Sequence, residues 1–317
     1  MIDVVDCLGD WRWRLTNLYY IVDEAGKKVR FEPNPEQLDL LGNLHSYNLV
    51  LKARQLGFTT LIDILALDQT IFTPNYAAAI IAHGLREAEK IFRNKVKFPW
   101  EKLPDGVKAL NPPVNLTASE LVFSNGSSIY VGTSGRSGTL QFLHISEYGK
   151  ICRRYPDKAN EIKTGSLPAV HAGGLIFIES TAEGTGGHFY EMVKDAEKRG
   201  PRPPNEMEFR LHFYPWWRKE SYRIDPDGVA IEPALIEYFD DLEEEGIILD
   251  DAQVAWYAVK SRLFKDDMKQ EYPSTPEEAF AGAMEERYFS EQMAAARKQG
   301  RIRPIPILTN SRVNLFF

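Results

Sequence analysis

Apolar positions along this chain come in short blocks, and their spacing switches between the repeat of a strand and the repeat of a helix. Tyr47 to Leu51 is a short apolar run that predicts a strand, and Arg54 to Phe58 predicts a turn. Thr59 to Ile71 is mostly apolar, with spacing 61, 64, 65; it is too long for one strand and predicts a buried helix. Ala77 to Ala82 predicts a second buried strand, followed by a helix through LREAEKIFRNKV. Ser119–Phe123 and Ser128–Val131 flank Asn125-Gly126, a hairpin signal. Leu140–Ile145, Gly174–Glu179 and Glu208–Tyr214 predict further strands, and His188–Lys198 a helix. Upstream, Asn34-Pro35-Glu36-Gln37 reads as a helix start, with Asn34 as N-cap and Gln37 at the third position; the helix runs to about Leu41. Residues 1–30 are rich in aromatics, poorly periodic, and read as an appendage. Residues 232–299 are mostly charged and helical, with Thr275-Pro276-Glu277-Glu278 as a capping box. The chain then turns β-like from Ile302 and stops in VNLFF, which reads as a cut strand or as a final edge strand. Strands alternating with helices predict an α/β fold: a mainly parallel sheet flanked by helices, with a helical lid region after about residue 220.

Composition narrows the classes. With 44% apolar and 26% charged residues, the 317-residue chain is that of an ordinary globular protein of one large domain, or of a core with a smaller appendage. It contains no run of 18 apolar residues, so no membrane span is expected. The start MIDVVDCLGDWRWR lacks the basic end and apolar stretch of a signal peptide. Cys7 and Cys152, the only cysteines, have no metal-type spacing and suggest a reducing compartment. The histidines lack paired ligand spacing, so no zinc is assigned. A net charge of −7 argues against a strong standing grip on nucleic acid; contact with DNA would be local, transient or supplied elsewhere. Asp225-Pro226-Asp227-Gly228 reads as a surface turn, and Asp240 to Glu245 as a solvated helical face. No serine–histidine–aspartate arrangement and no trio of acids suited to a nuclease emerges from the spacing.

Two places carry chemistry. LKARQLGFTT lies between a predicted strand and a predicted helix, where backbone N–H groups and a helix N-terminus can cradle phosphates. The usual GxxxxGK[ST] is absent, because Phe58 occupies the lysine place before Thr59. A triphosphate still needs a cation, and Lys52 and Arg54 are the cations of this loop. Thr59 has the hydroxyl position suited to Mg²⁺. Strand–glycine turn–helix segments also recur for purely structural reasons, and that reading stands beside this one. The second place is LQFLHISE, an apolar strand ending in an acid, Glu147, suited to polarise water. The plainer alternative for Glu147 is an exposed acid at a strand end. Arg136 lies eleven residues earlier in the glycine-rich GTSGRSGT, and GGLIFIESTAEG carries a strand into Ser180-Thr181.

These segments, in this order, resemble the ATPase domain of large terminase subunits, the motors that package viral DNA. ARQLGFTT is similar to the deviant Walker A loop of that family, in which an RQ pair (here Arg54 and Gln55) precedes Gly57, Thr59 and Thr60, and a lysine stands at the front of the loop, here Lys52. LHISE resembles Walker B with Ser146 in place of the usual aspartate, which removes a charge from the Mg²⁺ shell, and with Glu147 as the water-activating acid. The resemblance implies that Arg136 is an arginine finger reaching a neighbouring subunit, with Ser137 replacing the more usual glycine. It implies that Ser180 and Thr181 form the coupling motif that links nucleotide state to movement. Gln37 corresponds to an adenine-reading glutamine, a role that can coexist with helix capping. EYPSTPEEAF resembles the stretch that precedes the family's nuclease domain.

The resulting expectation is a P-loop NTPase of the RecA-like type: an appendage at 1–30, an ATPase core at 31–220, a helical lid or linker at 221–300, and the start of a truncated nuclease domain at 301–317, so that nuclease activity is not expected. ATP and Mg²⁺ are the implied ligands, with Thr59 and Ser146 at the metal. The implied partners are double-stranded DNA, the portal protein and the small terminase subunit. The implied assembly is a homo-oligomeric, pentameric ring at the procapsid portal in the host cytoplasm, with no membrane contact. A helicase-like or remodelling ATPase of the same class is the alternative enzyme. A nucleotide-binding scaffold without turnover is the alternative that Phe58 and Ser146 keep open.

Overall fold

The computed structural model describes residues 4–135 and 138–281. Ten strands in this range form two sheets. β1 (Tyr20–Val22) and β2 (Lys28–Arg30) make an antiparallel hairpin. The other eight, in chain order, are β3 (Tyr47–Lys52), β4 (Ala77–Ile81), β5 (Pro113–Leu116), β6 (Glu120–Phe123), β7 (Ser128–Gly132), β8 (Leu140–Ser146), β9 (Val170–Ser180) and β10 (Arg210–Tyr214). They lie in the order β10-β3-β9-β8-β4-β7-β6-β5. The six from β10 to β7 are parallel to their neighbours; β6 and β5 continue the sheet antiparallel. The Asn125-Gly126 hairpin forms as expected, with Gly126 at φ +82°.

The central strands are buried on both faces, and the pleat assigns alternate residues to two cores. Val50, Ala78, Ile80, Phe142 and Phe177 join one core. Leu49, Leu51, Ala79, Ile81, Leu143, Ile145 and Ile178 join the other. The helix Phe58–Phe72 contributes Leu61, Ile62, Leu65 and Ile71 to the first core. The second core takes Tyr148, Ile151, Phe189 and Val193 from the helices Tyr148–Arg154 and His188–Lys198. Helices thus cover both faces of the sheet.

Two buried acids fix the long helix in place. Asp68 accepts from Arg14 Nη2 at 2.6 Å and from the Tyr19 hydroxyl at 2.8 Å, which fastens residues 4–30 to the core. Asp63 faces His144 on β8, 2.7 Å away. The helix after β4 begins at Leu85 as expected, widens to i→i+5 bonding over Phe92–Lys97, and ends in Phe98–Glu101.

After β10 the chain is helical: Pro233–Glu244, Asp251–Phe264, Met268–Glu271 and Pro276–Ala281. An aromatic cluster holds this region to the sheet edge. Trp216 stacks on Trp256 with ring centroids 5.3 Å apart, Tyr222 on Trp256 at 4.2 Å, and Trp216 donates to Ser274 Oγ at 2.9 Å. Among the described residues no helix is long and apolar enough to cross a membrane.

Candidate active site

Parallel strands run the same way, so β3, β9 and β8 deliver their last residues to one edge of the sheet. The pairings Val50 with Glu179 and Ser146 with Glu179 set Glu179 and Ser146 level with Val50, and Lys52 lies two residues further along β3 on the same face. They share the pleat face of Val50, Phe177 and Phe142, the face covered by the helix Phe58–Phe72.

Between β3 and that helix the chain makes its tight loop. Gln55 takes φ +58°, and Gly57, capping the helix, takes φ +77°. A side chain at 57 would also put its Cβ 2.8 Å from Gln37 Nε2. Gln37 holds the loop from outside: its Nε2 donates to the Gly57 carbonyl at 2.8 Å, while its Oε1 accepts from Asn34 N at 2.9 Å in the expected capping box. The downstream helical region braces the same loop. Arg54 N donates to the Glu271 carbonyl at 3.0 Å, Tyr222 to the Arg54 carbonyl at 2.8 Å, and Lys219 Nζ to the Gln55 carbonyl at 2.8 Å. Phe58 is fully buried against Tyr214, centroids 4.5 Å apart, which explains why no lysine stands there: the position points into the core.

Lys52 is the buried cation of the site. Its Nζ lies 3.0 Å from Glu179 Oε2 and 3.3 Å from Glu147 Oε1. Burial by itself would lower the ammonium's pKa, but the Glu147 and Glu179 carboxylates outweigh it and hold the charge on the lysine well above its usual range. Glu179 is completely buried, yet it stays ionised. Burial pushes its pKa up, and Lys52, His144 and the Thr59 hydroxyl bring it well below the usual carboxylate range. Its Oε1 accepts from Thr59 Oγ1 and from Ser146 Oγ, both at 2.8 Å. Its Oε2 has Lys52 nearby but off the line of a hydrogen bond, and no other partner among the described residues. His144 lies behind, Nε2 at 3.6 Å from Glu179 Oε1; burial opposes its charge, but Asp63 and Glu179 push its pKa up to about 9.

Glu147 follows β8 at φ +55° and is the N-cap residue of the helix Tyr148–Arg154, its side chain about a third exposed. Gly149 in that helix donates to Ser180 Oγ at 3.0 Å, and a Cβ there would lie 2.9 Å from both Ser180 Oγ and the Thr181 carbonyl. The helix carrying Glu147 is therefore in direct contact with the end of β9.

These groups surround a cleft of about 390 Å³, lined by Lys52, Gln55, Gly57, Thr59, Ser146 and Glu147, with Thr60, Lys90 and Lys95 on its walls. A second opening, about 350 Å³, is lined by Lys52, Arg54, Gln55, Glu147, Thr181 and Glu271 among others. Of the residues expected from sequence, Lys52, Gln55, Gly57, Thr59, Thr60, Ser146 and Glu147 converge on the first cleft. Arg54 and Thr181 line the second; the Arg54 side chain is half-exposed, 3.5 Å from Glu271. Gln37 and Ser180 support the loop and the Glu147 helix from behind. Arg136 and residues 282–317 lie outside the described residues.

Three members escaped the sequence reading. Glu179 was absorbed into an apolar strand, although an acid inside LIFIES is itself a signal of a compensated buried charge. His144 was set aside with the other histidines. Lys95, which donates to Thr60 Oγ1 at 2.6 Å, comes from a helix with no loop signature. Among the described residues no three His, Cys, Asp or Glu side chains converge as a metal cage. Mg²⁺ does not need one, since it is commonly held by a hydroxyl, waters and substrate phosphates. Thr59 on the cleft wall, with a buried carboxylate behind it, fits that manner of binding.

No protein-family model matches the chain, and no curated protein matches it. Solved structures do. The ATPase domain of the large terminase of Thermus phage P74-26, in an arginine-to-alanine variant, matches over 76% of this chain and 93% of that one, with 18% identity and a TM-score of 0.50. The large terminase of bacteriophage HK97 matches over 82% of this chain and 53% of that one, with 15% identity and a TM-score of 0.53. The chain has the fold of these large terminase ATPase domains, a P-loop NTPase fold.

Proposed function

We propose that this chain is the ATPase of a viral DNA-packaging motor of the large terminase type, hydrolysing ATP to move double-stranded DNA into a procapsid. The observation that carries the reading is Lys52. A buried lysine at the end of β3 lies between Glu147 and Glu179 and lines the cleft beside a loop in which Phe58 holds the usual lysine place.

In this reading Lys52 neutralises the β- and γ-phosphates, and the loop N–H groups from Gln55 to Thr60 cradle them. Arg54 lies at the neighbouring opening and adds charge there. Phosphate oxygens compete with Glu147 for Lys52, and binding leaves the Glu147 carboxylate to accept a proton from the attacking water. Thr59, backed by Ser146, holds Mg²⁺, which when bound neutralises charge on the phosphates. Gln37, already fixed against the loop, adjoins the base. Thr181 and Ser180 contact the helix that Glu147 begins, so a shift of that acid is felt at the end of β9. Arg136 completes the site of a neighbouring subunit in a pentameric ring, which works on DNA with the portal protein and the small terminase subunit at the procapsid in the host cytoplasm.

The test is phosphate release by purified protein with ATP, Mg²⁺ and linear duplex DNA, assembled at high concentration. Turnover that is lost in both Lys52→Ala and Glu147→Gln is expected. ATP binding should weaken only in the first. Turnover equal to wild type in Glu147→Gln sinks the assignment. No binding of ATP by the wild type sinks the whole reading.

A further inference from the structure

We infer that Glu179, at the end of β9, is the acid that completes the divalent-cation site, supplying from the neighbouring strand the charge that Ser146 lacks; the inference rests on the ATPase reading above. Ser146 and Glu179 are paired in register on adjacent parallel strands and share a pleat face. Serine is short enough to leave room over its hydroxyl, and the longer glutamate reaches into it, Oε1 at 2.8 Å from Ser146 Oγ. An aspartate at 146 would set two carboxylates against each other in a buried place, where both could not ionise without cost. One acid is tolerated here, and this chain carries it on β9.

The hydrogen bonds give that carboxylate a direction of action. Thr59 Oγ1 and Ser146 Oγ each donate their single proton to Glu179 Oε1. A hydroxyl that donates inward is left with lone pairs to offer outward. Both residues line the cleft, so the carboxylate orients them as acceptors for a hard cation or for its bound waters. Glu179 Oε2 faces the Lys52 ammonium at 3.0 Å, so the two oxygens divide the work: one balances the lysine, the other holds the two hydroxyls. A plain structural counter-ion for Lys52 would need neither hydroxyl. Glu179 is therefore a positioning residue for the cation, acting through Thr59 and Ser146.

The experiment reads cation binding directly. A fluorescent, non-hydrolysable ATP analogue is titrated with MgCl₂, and bound Mn²⁺ is followed by electron paramagnetic resonance in the presence of the unlabelled analogue. Glu179→Gln should raise the half-saturating Mg²⁺ about 10–100-fold, the usual effect of removing a residue that orients metal ligands, while metal-free binding of the analogue is retained. The double variant Ser146→Asp/Glu179→Gln, with the acid returned to β8, should recover most of the Mg²⁺ response. An unchanged Mg²⁺ half-point in folded Glu179→Gln overturns the inference and leaves the ATPase reading intact. If Glu179→Gln does not fold, the double variant decides: a Mg²⁺ response near wild type supports the transfer of charge, and a folded double variant without one overturns it. A wild type that binds no analogue, with or without Mg²⁺, overturns the ATPase reading and this inference with it.

Discussion

Lys52→Ala should destabilise the fold before any nucleotide is considered, and by a predictable amount. The ammonium is 3.0 Å from a carboxylate with no solvent exposure and 3.3 Å from one about a third exposed. Removing one partner of a buried pair costs about 3–5 kcal/mol, because the remaining charge is stranded. The half-open contact with Glu147 adds about 1 kcal/mol or less. For a domain of this size each kcal/mol lowers the midpoint by roughly 2–4 °C, so a fall of about 6–24 °C is expected. The pH dependence identifies the cause. In the wild type the Glu179 pKa is depressed by folding, so its contribution is present above the unfolded value and is lost as pH falls through the folded one. Without Lys52 the burial penalty weighs against His144 and the hydroxyls alone, and the folded pKa moves up. Protonation then relieves the stranded charge, so the gap between variant and wild type should narrow as pH drops from 7.5 to 5.5. Thermal melts at both pH values, with Lys52→Ala/Glu179→Gln closing a double-mutant cycle, measure this. A midpoint within 2–3 °C of wild type (roughly 1 kcal/mol), or no coupling between 52 and 179, would refute the reasoning.

Further outcomes follow from neighbouring residues. His144, whose pKa rises to about 9 in the fold, contributes stability that is complete below the unfolded value and is lost as pH rises through 9; on the order of 3 kcal/mol should disappear between pH 7 and 10, and His144→Asn should flatten that part of the profile in thermal melts. Phe58→Ala removes a buried ring packed against Tyr214 and should cost about 3–5 kcal/mol in urea unfolding; ATP affinity measured well below the transition should stay close to wild type. Arg136→Ala should lower turnover on the order of 10³-fold without loss of nucleotide binding. Mixing it with Glu147→Ala chains under ring-forming conditions should restore part of the activity, and verified mixed rings that stay silent would count against action between subunits.

Much of the sheet was legible because its strands are buried on both faces and read as apolar runs. The helix predicted over Thr59–Ile71 spans Phe58–Phe72, and the strand predicted over Gly174–Glu179 spans Val170–Ser180. β5 was missed because all four of its residues are exposed and its pattern does not alternate. The widening at Phe92–Lys97 was missed because the side-chain pattern does not distinguish i→i+4 from i→i+5 bonding. In the site, residues local to the loop could be found by spacing. Glu179 and Lys95 could not, because they meet Thr59 and Thr60 only after the sheet places β9 between β3 and β8 and a helix 35 residues downstream lies over the loop. The buried acids Asp63 and Asp68 sit in a helix that reads as mostly apolar, and their partners lie 81 and 54 residues away.

The strand order has a consequence during synthesis. β3 leaves the ribosome first among the strands of the large sheet, yet its neighbours there are β9 and β10, among the last. From Lys52 to Val170 the growing chain adds 118 residues before the first of those neighbours emerges (170 − 52). At 5–20 residues per second that is on the order of ten seconds. Throughout that interval an apolar ribbon, YNLVLK, has both backbone edges open and no partner of its own sheet to close them. Nascent chains in which this segment is held off from its own kind, by a chaperone or by slow emergence, should reach the native sheet in higher yield than the same chains refolded together from urea.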